Sequence, residues 1–223
     1  MYGERSTRVV AVRGLSVHTN LEAVAIMLST ALLGTTWLER ALYPASFAFA
    51  TGLHLGCHLL VAVAFGKGID RMVLTRAGRI DYSGAPPRFV EAIVRTAAGP
   101  SMNAICALVG TLVLGNVDTQ GWPAEVLLGA QIFTFASLVL TVINFLPAVP
   151  LDGGLILRTL LERVIGTPAA VNASVVVSAL VMLAMAVFGA LWFQPVLVYL
   201  AVVITYDNWR ARQRSPGAVV NFM

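Results

Sequence analysis

Long apolar runs, each bounded by charge or proline, are what this chain must accommodate before anything else. They cover residues 21–38, 45–66, 89–115, 124–146, 169–191 and, more briefly, 196–206. A bilayer core takes roughly 20 apolar residues per helix, so there is room for about six spans. Composition agrees: 58% of the residues are hydrophobic and 12% are charged, against about 45–50% and about 25% in soluble domains. The expected fold is an α-helical, multi-pass membrane protein: one compact bundle of about six spans with a small β-sheet at the cytoplasmic surface.

The formal net charge of +4 and pI near 9.5 would suit nucleic acid in a soluble protein. Here the basic residues fall in short segments between and beyond the spans, which is the positive-inside pattern of a protein whose surroundings are lipid. Nucleic acid is therefore not an expected partner. The N-terminus, 67–88, 158–163 and the tail carry the Lys and Arg, so both termini are expected in the cytoplasm. The segments 39–44, 116–123 and 192–195 are expected outside. Cys57 and Cys106 lie inside apolar runs and read as small core residues rather than a disulfide. The first twenty residues are charged and lack an apolar stretch, so no cleavable signal peptide is expected.

Along the chain, residues 1–20 form an interfacial region in which Val9, Val10, Val12, Leu15 and Val17 flank Arg13-Gly14 and predict one or two short strands. His18 reads as an ordinary interfacial histidine. Spans one and two occupy 21–66, with Glu39-Arg40 and Tyr43-Pro44 closing the first. Residues 67–88 break the pattern with five basic residues, and Gly78 and Ser83-Gly84 as turn signals. They predict a membrane-surface β-hairpin that pairs with the N-terminal strand. Core spans three and four fall within 89–165, the third interrupted at Gly99-Pro100-Ser101-Met102-Asn103. Asn103 reads there as a packing residue between helices. A short helix follows at 151–165, and 166–223 holds spans five and six and a basic tail. The whole is read as a single membrane domain, 1–223.

Two polar constellations interrupt this apolar background. His54 and His58 stand four residues apart near the middle of the second run, which puts both imidazoles on one helical face. Asp152 follows Asn144-Phe145-Leu146-Pro147-Ala148-Val149-Pro150-Leu151 and precedes Gly153-Gly154. A carboxylate in such a setting is costly and is usually kept for a cation or a proton. Two histidines and an aspartate can ligate zinc while leaving one position open.

The Asn144–Gly154 segment resembles the NxxPxxxLDGG signature of the site-2 protease family of intramembrane zinc metalloproteases. Ala98-Gly99-Pro100 followed by Asn103 resembles that family's AGP segment, and Arg13–His18 resembles its N-terminal strand. The order of spans is similar to that of its small bacterial and archaeal members without PDZ or CBS domains. The resemblance implies His54, His58 and Asp152 as zinc ligands and Asn144 as the donor to the scissile carbonyl. It also implies a membrane protein or transmembrane helix as substrate, held by a sheet edge, and a bacterial or archaeal plasma membrane as location. Two positions depart from the pattern. Leu55 stands where the HExxH motif has its general-base glutamate, and Leu155 stands where an arginine often follows LDGG. Neither Glu91 nor Glu125 has a spacing that would replace the missing acid.

Three readings follow. In one, the chain is a pseudoprotease that keeps the ligand set, with or without zinc, and binds a transmembrane segment or partner complex without cutting it. In another, it is an active zinc-dependent intramembrane endopeptidase whose acid has been altered or which uses another base. In the last, it is a structural subunit whose histidines only hydrogen-bond between helices. The loss of a group that contributes about 10²–10⁴-fold in rate favours the first.

Overall fold

The computed structural model describes residues 7–12, 15–19, 21–74, 79–83, 85–192 and 194–214. The Arg13-Gly14 step, the turn at Gly78, Gly84 and the tail beyond residue 214 lie outside the described residues. The chain forms two compact units, Met1–Pro86 with Ala98–Val142, and Pro87–Ala97 with Ile143–Phe222.

The first unit opens with β1 (Thr7–Val12) and β2 (Leu15–Thr19), rich in the β-branched residues that favour a pleated surface. β3 (Gly68–Leu74) and β4 (Arg79–Ser83) follow much later. The sheet order is β1-β2-β3-β4, antiparallel within each hairpin and parallel between β2 and β3. The expected hairpin and its pairing with the N-terminal strand are both present. A parallel pair needs a long crossover, and the first helical region supplies it. That region comprises α1 (Leu21–Ser29), a 3-10 turn over Thr30–Leu33, and α2 (Trp37–Ala64). The Lys67 ammonium donates to the Ala85 carbonyl at 2.7 Å and ties the two ends of the second hairpin together.

α2 begins earlier than the sequence reading places the second span. Glu39 and Pro44, read there as closing one span before the next, both lie inside it. The reason is local. The Thr36 hydroxyl accepts from the Glu39 N–H at 3.2 Å, and the Glu39 carboxylate accepts from the Thr36 N–H at 3.1 Å. Thr35 adds its own N–H at 2.6 Å and its hydroxyl at 2.7 Å. This reciprocal capping satisfies donors that a helix start leaves orphaned, and it outweighs the proline eight residues further on. Phe47, Ala50 and Ala136 form the buried core of this unit, with Met27, Tyr43, Phe133, Val139 and Leu140 packed around them.

α3 (Phe89–Asn116) and α4 (Ala124–Phe145) are long and apolar. The expected interruption of α3 at Gly99–Asn103 is absent: the helix runs through Pro100. Gly110 lets α3 approach α4 closely, because a Cβ there would collide with the Thr134 side chain. Small residues at helix contacts serve this purpose in membranes.

In the second unit, α5 (Asp152–Ile165), α6 (Thr167–Leu191) and α7 (Pro195–Arg214) pack on one another. Ala148, Leu151, Met182, Met185, Ala201 and Ile204 are its buried core. Arg158 pairs with Glu162 at 2.9 Å and Arg95 with Glu91 at 3.6 Å, each across one helical turn. The Arg163 guanidinium lies 5.8 Å over the Phe89 ring. α7 continues past residue 206, where the sequence reading ends the last span.

Among the described residues, four helices are long and apolar enough to cross a membrane: α2, α3, α4 and α6. The first and last expected spans appear instead as shorter apolar stretches, Ala23–Leu33 and Val196–Tyr206. Large apolar side chains face outward along all four long helices, among them Phe49, Leu60, Leu108, Leu138, Leu180 and Leu183. So much exposed hydrocarbon is foreign to a water-soluble monomer and matches a lipid surround. The chain is an integral membrane protein.

Candidate metal centre

The sequence Gly52-Leu53-His54-Leu55-Gly56-Cys57-His58 is helical in α2, so residues four apart stack on one face. Both histidines are buried, each 7% exposed. Their rings meet edge-on with centroids 4.8 Å apart, and the two Nε2 atoms are 3.1 Å apart. Two imidazole lone pairs facing one another at that distance repel unless a proton or a cation lies between them. Nitrogens bound at about 2.0–2.1 Å to a tetrahedral zinc stand roughly 3.3–3.4 Å apart, close to the separation seen here.

Space for these rings is made by α3. A Cβ on Gly99 would collide with Nε2 of His58 and come within 2.6 Å of Nε2 of His54. Gly99 is therefore the one residue type that admits both imidazoles at this crossing. One turn further along α3, Asn103 is fully buried and its amide nitrogen lies 3.2 Å from Nδ1 of His54. The outer nitrogen of that ring is thus engaged while the inner one points at His58. Small residues at 99–103 permit a kink and close helix contact by sequence, and Asn103 reads as packing; the close contact is present at Gly99, and Gly99 and Asn103 both meet the histidines. Besides the resemblance of Ala98-Gly99-Pro100 and Asn103 to the AGP segment, the advance signal was a glycine and an amide spaced four apart in an apolar helix.

Asn144 and Asp152 belong to the second unit. Asn144 is half-buried in the last turn of α4, and Asp152 is the first residue of α5, also half-buried. Between them the backbone turns twice: the Ala148 N–H donates to the Leu146 carbonyl at 2.8 Å, and the Leu151 N–H to the Ala148 carbonyl at 2.8 Å. Val149-Pro150 is a cis peptide. The two glycines after Asp152 are sterically required. A Cβ on Gly153 would strike the Phe145 and Leu146 carbonyls, and one on Gly154 would strike the Ala148 and Val149 backbone. The first turn of α5 is thereby pressed onto the preceding turn, which fixes where the Asp152 carboxylate begins.

That turn is held from two other helices. The buried Val149 N–H donates to the Ser178 hydroxyl at 2.8 Å, and that hydroxyl donates onward to the Ser174 carbonyl at 2.6 Å. The Val149 carbonyl accepts from the Asn208 amide at 2.6 Å. Both backbone polar atoms of Val149 are thus satisfied by side chains of α6 and α7, as buried backbone requires. Sequence reasoning passed over Ser178 and Asn208, although polar residues at buried positions of apolar helices are a known sign of interhelical bonding.

In the first unit His54 and His58 offer two imidazole nitrogens, and in the second Asp152 offers a carboxylate oxygen; these are the donor types that suit zinc. Leu55, half-buried beside His54, carries no acid. Glu91 is occupied at its own end of α3, where it pairs with Arg95 and its carboxylate accepts from the Arg88 N–H at 3.3 Å. Glu125 is exposed in the first turn of α4. Neither supplies the proton carrier that Leu55 lacks. Cys57 and Cys106 are both free thiols.

Comparison with known proteins agrees with these features. The profile of peptidase family M50 matches residues 115–188, which include the Asn144–Gly154 segment. A curated zinc metalloprotease of Methanocaldococcus jannaschii is 22% identical over 206 residues, 90% of this chain and 59% of that protein. The chain thus spans about three-fifths of the length of that relative. The solved site-2 protease from Methanocaldococcus jannaschii shares the fold at a TM-score of 0.68 and 21% identity, covering 98% of this chain and 99% of the other. Motif, relative and fold point the same way: the chain carries a peptidase family M50 match over residues 115–188 and is similar in sequence and fold to site-2 proteases.

Proposed function

We propose that the protein is a pseudoprotease of this family: it holds zinc through His54, His58 and Asp152 and binds a transmembrane segment of a partner without efficient hydrolysis. The observation that carries this reading is the contrast within one helical turn. The two imidazoles converge to 3.1 Å, and Gly99 is bare to make room for them, yet the residue beside His54 is leucine. The ligand geometry is kept and the general base is gone.

A zinc ion in such a site supplies Lewis acidity, polarising a carbonyl and activating water near neutral pH. The chain's own residues would do the rest. Asn144 would donate its amide to the partner's carbonyl, and the edge strands β1 and β4 would pair with an unwound stretch of its backbone. No side chain at position 55 can take a proton from the attacking water and pass it to a leaving amine. Topologically, the sheet and the Arg-rich end of α7 would face the cytoplasm of a bacterial or archaeal cell, with 117–123 on the other side.

The test is a pair of measurements on purified protein in detergent. Elemental analysis is expected to give about one zinc per chain, and its absence would remove the metal reading. Incubation with membrane-embedded substrate segments is expected to give little cleavage by the unaltered chain and about 10²–10⁴-fold more by Leu55→Glu. Cleavage by the unaltered chain at the rate of a working family member would overturn the pseudoprotease reading in favour of an active endopeptidase.

A further inference from the structure

The tautomer of His54 is tied to the orientation of one buried amide. His54 meets Asn103 through Nδ1, at 3.2 Å, and His58 through Nε2, at 3.1 Å. A neutral imidazole carries its proton on one nitrogen only. If the proton sits on Nε2, it bonds to His58, Nδ1 is an acceptor and Asn103 must present its NH₂. If Nε2 is to offer its lone pair to a metal, the proton sits on Nδ1 and Asn103 must present its oxygen. Asparagine is suited to this place because its amide can do either by turning over, with almost no change in outline. The side chain is completely buried, so no bulk water stands in for it. In the arrangement seen, the amide nitrogen faces Nδ1, and Oδ1 is buried without a hydrogen-bond partner. Turning the amide over gives that oxygen the Nδ1–H as its donor.

We propose that Asn103 is the positioning residue for His54. Its amide turns its nitrogen to Nδ1 when the histidine pair shares a proton, and its oxygen to Nδ1 when His54 ligates metal through Nε2. The proposal rests on the metal reading above and adds a residue outside the ligand set. Partners of this kind on a ligating histidine typically account for 10–100-fold in metal affinity. Leucine at position 103 would fill similar space and offer neither group. Aspartate would offer only an acceptor and so favour the tautomer that metal needs.

The chain contains three histidines, so ¹⁵N-histidine labelling of the full chain in detergent micelles gives a spectrum simple enough to assign with His18→Gln and His58→Gln. His54 is expected to carry its proton on Nε2 without metal and on Nδ1 with zinc bound. In competition with a chelator, Asn103→Leu is expected to bind zinc 10–100-fold more weakly, and Asn103→Asp at least as tightly as the unaltered chain. Zinc bound at one per chain with unchanged affinity in Asn103→Leu, or His54 protonated on Nε2 in the zinc-loaded protein, would overturn this proposal and leave the metal reading standing. Absence of zinc from the unaltered chain would overturn both. The spectra of the unaltered chain decide the matter even if a variant fails to fold.

Discussion

Gly99 has no side chain because two imidazole nitrogens occupy the space one would need. Gly99→Ala is therefore expected to push the rings apart, weakening zinc binding by at least about tenfold and costing about 1–3 kcal/mol through overpacking. Chelator competition and thermal unfolding in detergent would measure the two effects. At this scale the histidines and Asp152 were legible, since charge or imidazole in an apolar run is conspicuous in one dimension. The glycine and the amide that serve them were less so. Their meaning lies in what sits across from them, and α3 is some forty residues away in sequence from α2's histidines.

Elements divide in the same way. The strands, their pairing, α4 and the short helix after the LDGG segment could be read from β-branching, apolar length and turn residues. The start of α2 could not be read from hydropathy, because reciprocal capping by Thr36 and Glu39 decides it. Thr36→Ala is expected to cost about 0.5–2 kcal/mol, visible as a lower unfolding temperature with zinc stoichiometry unchanged. The turn between α4 and α5 depends on helices that no local pattern connects to it. Ser178→Ala and Asn208→Ala each strand one buried polar atom of Val149, and each is expected to cost about 1–3 kcal/mol. These losses should be accompanied by faster proteolysis near residues 146–151, whereas Thr36→Ala should leave that turn protected.

Over the whole molecule, the outward apolar faces of the four long helices among the described residues demand lipid, and the orientation proposed above from the distribution of Lys and Arg is open to direct test. With Cys57 and Cys106 replaced by alanine, single cysteines at Ala85 and Gln120 are expected to react with impermeant thiol reagents from opposite sides of the membrane. Labelling of both from one side would refute the orientation. The span count is the property least settled by helix length at this scale. Among the described residues, the apolar stretches Ala23–Leu33 and Val196–Tyr206, the latter within α7, are shorter than the four long spans.

The grip on Val149 also orders events in time. Its N–H waits for a hydroxyl 29 residues downstream, and its carbonyl for an amide 59 residues downstream. At a synthesis rate of about 5–20 residues per second, the second partner emerges roughly 3–12 s after Val149 has been made. Through that interval the nascent chain carries an unfinished bend, and ribosomes stalled before Asn208 should yield membrane-inserted intermediates in which the LDGG segment is open to protease.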